Sequence, residues 1–124
     1  MTFSASPQEL FRYLEERFDC AQACGECARV CVVRAGLWES DGHAGQERVR
    51  RESIACADVC DATALMLSEE DRLDEAAILV QLDWCRSLCL ETAHLLDAQP
   101  AAESTAEACR ACARACTAFA TLLR

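Results

Sequence analysis

Lysine is absent from this 124-residue chain, which holds only 4 Gly, 2 Pro, 2 Trp, 1 Tyr and 4 Phe. Few turn-forming and aromatic residues argue against a sheet and for helices joined by short turns. With no lysine, all 12 basic residues are arginine, set against 21 acidic ones, for a net charge of −9. That balance excludes the positive face a nucleic-acid binder needs. No apolar run approaches a membrane span, so no membrane association is expected. The first residues, Met1 to Pro7, carry neither a basic region nor an apolar run, and no secretory leader is expected. Also missing are a Ser-His-Asp arrangement, a phosphate loop, a paired-carboxylate motif and the inward Glu-x-x-His pairs of a di-iron bundle. No enzyme is expected. What is present is 52% hydrophobic residues, too many for a disordered acidic chain. The length suits one domain over residues 1–124, burying roughly two-thirds of the unfolded chain's surface.

Four helical segments can be read. Ser6-Pro7-Gln8-Glu9 is a capping box with proline at the first helical position, opening a helix to about Trp38. Glu39 to Gly45 reads as a turn, and a second helix follows from Gln46 to Leu67. Ser68-Glu69-Glu70-Asp71 places acidic residues where a helix dipole favours them and predicts the start of a third helix, running to about Ala98. Gln99-Pro100 breaks it, and a second capping box, Ser104 to Glu107, opens the last. Short turns make successive helices antiparallel, so the expected fold is all-α, an up-down four-helix bundle.

Cysteine is abundant where so much else is scarce: 11 residues, or about 9% of the chain. An odd count without a leader points to reduced thiols in a cytoplasm, not a disulfide scaffold. Cys20, Cys24, Cys27 and Cys31 fall on the first helix, Cys56 and Cys60 on the second, Cys85 and Cys89 on the third, and Cys109, Cys112 and Cys116 on the fourth. Residues three and four apart share a helix face, so each set is one stripe. Val49, Leu67, Ile78, Leu82, Leu96, Phe119 and Leu123 extend these stripes, which makes the cysteine face the core face. Cys24 to Cys31 and Cys109 to Cys116 share the pattern C-x2-C-A-R-x-C, through duplication or convergent filling.

At about 1.5 Å rise per residue the four stripes overlap in depth. The expectation is a thiol-filled upper core, beside the Glu39 and Pro100 turns, over an apolar base of Leu10, Phe11, Leu14, Leu65, Leu67, Leu73, Phe119 and Leu123. Cys31, Cys109 and Cys112 come out shallowest, so metal is expected to arrive from above.

Cysteine often serves as a small hydrophobe, but eleven in one band point to a soft-metal site. Thiolates select copper(I), zinc and iron–sulfur clusters. A C-x3-C pair offers two sulfurs to one ion while being poorly placed for a disulfide. Copper(I) accepts two or three sulfurs and can fill such a row ion by ion. Zinc wants four tetrahedral ligands. His43 lies in a turn and His94 about 140° around its helix from Cys89, so neither serves it clearly. Iron–sulfur motifs usually come from loops that wrap the cluster, although facing helices can supply four sulfurs.

These helical C-x3-C pairs, with C-x2-C-x3-C on the first and last helices, resemble the cysteine-rich four-helix-bundle copper storage proteins, over about Cys20 to Cys116. The resemblance implies a bundle filled with thiolate-bound copper(I), all eleven cysteines as ligands, a bacterial cytosolic setting and often a homotetramer. A copper chaperone is the expected loading partner. The sequence departs from the family in having fewer cysteines than the richest cytosolic members and no histidine or methionine set at the mouth, which leaves an iron–sulfur or redox-active relative as the alternative. Trp38 and Trp84 read as packing or interface residues, Arg48, Arg50 and Arg51 as a solvated face, and Asp58, Asp61 and Asp83 as exposed neighbours of the cysteines.

Overall fold

A computed structural model describes residues 6–41, 46–69 and 74–124. They form four helices: α1 (Pro7–Asp41), α2 (Glu47–Ser68), α3 (Glu75–Leu96) and α4 (Glu103–Leu123). Each helix packs against two others, in the ring order α1, α2, α3, α4. Pairings such as Arg17 with Leu67 and Cys31 with Cys56 make α1 and α2 antiparallel. The expected four-helix bundle is therefore observed.

The termini show which local signals won. Ser6 caps α1: its hydroxyl accepts from the Glu9 N–H at 3.2 Å and lies 3.3 Å from the Glu9 carboxylate. That helix runs to Asp41, past the expected end at Trp38. The start of α3 is corrected from Ser68 to Glu75. Ser68 is the last residue of α2 and bonds back to the Ala64 carbonyl at 2.8 Å, and Glu69 is extended. Asp74 caps α3 instead, accepting from the Ala77 N–H at 2.7 Å. The second capping box does not form either. α4 starts at Glu103 behind Ala102, which offers no side-chain cap, so Ser104 is already inside the helix. After Pro100, Ala101 takes a left-handed conformation (φ 59°) that reverses the chain between α3 and α4.

The core face of each helix is where the stripes place it. Val49, Leu67, Ile78, Leu82, Leu96, Phe119 and Leu123 are all buried beside the thiols. The apolar base differs in composition from the expectation. Phe11 is 67% exposed and Leu65 60%, and Leu10 and Leu14 are also on the surface; Leu73 lies outside the described residues. The end of the bundle is closed instead by Leu67, Phe119 and Leu123 with Arg17, which is only 7% exposed. Arg17 Nε donates to the Leu67 carbonyl at 2.7 Å, and a terminal nitrogen donates to the Glu69 carbonyl. One guanidinium thus satisfies the carbonyls that the end of α2 leaves open, and its aliphatic stem covers the core. Tyr13, one turn before it, packs its ring 5.6 Å from that of Phe119.

Candidate metal centre

Eleven free thiols meet in this core, each buried to within 1% of complete. The antiparallel arrangement sets their partners. Cys31 faces Cys109 at 3.6 Å, and Cys27 faces Cys109 at 3.7 Å. Below them Cys56 and Cys60 approach Cys89 at 3.7 and 3.4 Å. Cys24 lies 3.4 Å from Cys112, and Cys85 lies 3.8 Å from both Cys60 and Cys112. Cys116 is 3.9 Å from Cys24 and from Cys20, the lowest thiol of α1. Along single helices, Cys27–Cys31 and Cys56–Cys60 stand 4.0 and 3.9 Å apart. Every sulfur therefore touches one from another helix, which no spacing along one helix could show. Cys112 belongs to the middle of this column with Cys24, Cys60 and Cys85, a correction to its placement among the shallowest thiols.

Four quartets have all their sulfurs within 4.8 Å of one another: Cys27, Cys31, Cys56, Cys109; Cys27, Cys56, Cys60, Cys89; Cys60, Cys85, Cys89, Cys112; and Cys24, Cys85, Cys112, Cys116. With a metal–thiolate bond of about 2.3 Å, two sulfurs on one ion stand about 3.8 Å apart at a tetrahedral angle and about 4.6 Å apart when linear. The observed separations match without backbone movement. The quartets also share members, among them Cys27, Cys56, Cys60, Cys85, Cys89 and Cys112. Shared sulfurs suit thiolates that bridge several ions. Isolated zinc sites would need each quartet to itself. A four-iron cluster interposes its own iron–sulfide core between thiolates, which then stand farther apart than these.

The thiols act on one another's acidity. Hydrogen bonding with Cys116 and then Cys24 brings Cys112 down to about 7, and the same two neighbours, in that order, hold Cys20 down to about 5. Other thiols of the network move the opposite way: bonding with Cys112 and then Cys116 pushes Cys24 up, as does burial. Bonding to Cys112 and then Cys27 pushes Cys89 up likewise. A thiolate surrounded by S–H groups is stabilised, and each donor then holds its own proton more firmly.

The other sequence candidates stay outside. His94 is exposed, as are Asp58, Asp61 and Asp83, and Trp84 is 57% exposed. His43 and the side chain of Trp38 lie outside the described residues. Arg50 and Arg51 pair with Glu47 at the surface, at 2.9 and 3.1 Å, and Arg48 is exposed. Among the buried residues that the sequence pattern did not single out are Arg17, Ser53 and Thr92. Ser53 is three residues before Cys56 and Thr92 three after Cys89, so the stripe spacing itself contained the signal for those two.

Comparison with known proteins agrees with this geometry. Residues 6–121 match the family model of the copper storage proteins, Csp. No curated protein sequence matches. A solved structure of a histidine-to-alanine mutant of Streptomyces lividans Ccsp superposes with a TM-score of 0.61 at 31% identity, over 97% of this chain and 98% of that one. A match over nearly the whole chain, on a bundle whose core is a column of free thiols, places this protein in the copper storage protein family, with a storage role and not a catalytic one.

Proposed function

We propose that the stored ion is copper(I) and that all eleven cysteines, Cys20, Cys24, Cys27, Cys31, Cys56, Cys60, Cys85, Cys89, Cys109, Cys112 and Cys116, are its ligands. The observation that carries this reading is the continuous column of inter-helix sulfur contacts at 3.4–4.0 Å. Thiolates favour soft copper(I), and two- or three-sulfur coordination suits a column of shared sulfurs. The charge balance favours it too. Each copper(I) that replaces one thiol proton leaves the dry core neutral, so a low-dielectric interior can take many ions. One copper per thiol is then the natural upper limit.

Four further points belong to the same reading. The chain is one domain, because every helix contributes to one thiol core. It acts in the cytoplasm, where thiols stay reduced; among the described residues no helix is long and apolar enough to cross a membrane. It associates as a homotetramer, with exposed apolar residues such as Phe11, Phe18, Val32 and Trp84 available for contact. A copper chaperone loads it, since free copper(I) is scarce wherever thiols abound.

Titration of reduced protein against a colorimetric copper(I) chelator tests the assignment. Several equivalents per chain are expected, approaching one per thiol. Uptake of a single equivalent, or brown colour from iron–sulfur in freshly isolated protein, would overturn it.

A further inference from the structure

One helical turn beyond Cys56 and Cys89 are two buried polar groups that the metal-free protein does not use. Ser53 and Thr92 are 0% exposed, and among the described residues neither hydroxyl has a hydrogen-bond partner. A buried unmatched hydroxyl is costly. A cheap remedy exists in any helix, a bond to the carbonyl four residues earlier. Thr63, Ser68, Thr117 and Thr121 all take it, at 2.7–3.0 Å. Ser53 and Thr92 do not.

Their positions come from the register of α2 against α3. Gln81 Nε2 donates to Thr63 Oγ1 at 2.9 Å, and Cys56 faces Cys89 at 3.7 Å. The same antiparallel register puts Ser53 opposite Thr92, one turn above the Cys56–Cys89 contact. One turn farther, Val49 and Leu96 are buried and apolar. The two hydroxyls thus lie between an apolar cap and the uppermost quartet, Cys27, Cys31, Cys56 and Cys109.

Loading changes what this layer needs. In the metal-free core, thiols serve as donors to one another. When one copper(I) is held by two thiolates, the exchange is Cu⁺ plus two thiols giving an anionic bis-thiolate copper complex and two protons. The complex accepts hydrogen bonds and has no proton left to donate. We propose that Ser53 and Thr92 are a pair of hydrogen-bond donors reserved for the copper-bound thiolates of the upper quartet. They act as positioning residues, and rotation about χ1 between staggered wells is the only movement required. Ligand-orienting groups of this kind set metal affinity in other sites, where losing one costs about 10–100-fold. The assignment rests on the copper(I)–thiolate reading and adds to it the groups that hold the uppermost ions.

Removing the two hydroxyls should move metal-free stability and copper retention in opposite directions, which a purely structural role would not do. The variant S53A/T92V is expected to melt at a higher temperature than wild type when reduced and metal-free. Loaded to the same number of ions, it should release its weakest-held copper to a competing chelator about tenfold faster, with a shifted thiolate-to-copper charge-transfer band. S53T/T92S keeps both donors and should restore wild-type release. S53A alone, a minimal truncation, should show the same two signs at smaller size if the double variant folds poorly. Release unchanged from wild type overturns the proposal, as does a metal-free melting temperature that falls together with retention. Failure of wild-type protein to take up copper would instead sink the thiolate reading itself, and the same titration reads that outcome separately.

Discussion

The two ends of the thiol column are closed by different means. At the lower end Arg17 is buried against Leu67 and Phe119, its guanidinium fixed by the carbonyls of Leu67 and Glu69. At the upper end the ties run between side chains and a turn near the surface. Gln46 Nε2 donates to Gln99 Oε1 at 3.4 Å, and Arg34 donates to the Pro100 carbonyl at 2.9 Å. The buried residues there include the small Ala35 and Ala102. The lower closure is part of the packed core, so opening it means unfolding. The upper one adds to the buried Val49 and Leu96 only a few partly solvated hydrogen bonds, the kind that open locally at low cost. An ion that must keep a soft ligand throughout its transfer is therefore expected to pass the upper end, from thiolate to thiolate.

The largest test of this contrast is Phe119→Ala, which empties the lower core and should cost about 3–5 kcal/mol in urea unfolding. An effect within about 0.5 kcal/mol, the size usual for surface substitutions, would show that this end is not packed as described. Next comes Arg17→Met, which keeps an apolar stem but leaves two carbonyls without their charged donor; a loss of about 2–3 kcal/mol is expected. Wild-type stability in that variant would mean that Arg17 acts by packing alone.

Uptake kinetics separate the ends directly. Cys31→Ser with Cys109→Ser should slow the initial stopped-flow rate of copper(I) uptake several-fold. Cys20→Ser with Cys116→Ser should lower capacity and leave that rate near wild type. The reverse pattern would put the entrance at the Arg17 end.

The smallest effect belongs to the exposed pair of Arg110 and Asp97 beside the upper turn. Arg110 holds the Asp97 carboxyl below its ordinary value. A lowered carboxyl pKa stabilises the fold above the unfolded value, and that contribution fades as pH falls through the folded one. Asp97→Asn should therefore flatten slightly the fall of melting temperature on acidification, and a steeper fall would contradict the pairing.

Most of the bundle was legible because cysteine and aliphatic residues recur at spacings of three and four on all four segments, a pattern only a helix turns to one face. The misplaced features are those that local pattern underdetermines. Ser68 to Asp71 and Ser104 to Glu107 satisfy capping chemistry on paper, yet Asp74 captured one start and a left-handed Ala101 set the other. Phe11, Leu14 and Leu65 look like a plug from composition, but their helix faces point outward and a charged residue fills the role.

What this sequence determined by itself is which residues share a stripe, and hence that eleven thiols line one core: helical periodicity is local and depends on nothing farther than a turn. Only the tertiary structure decided which thiols meet, that Cys112 sits in mid-column, and that the Ser53 and Thr92 hydroxyls are buried without partners among the described residues. Those relations depend on the register between antiparallel helices, set by the packing of whole faces and by the carbonyls that Arg17 satisfies across some fifty residues of chain.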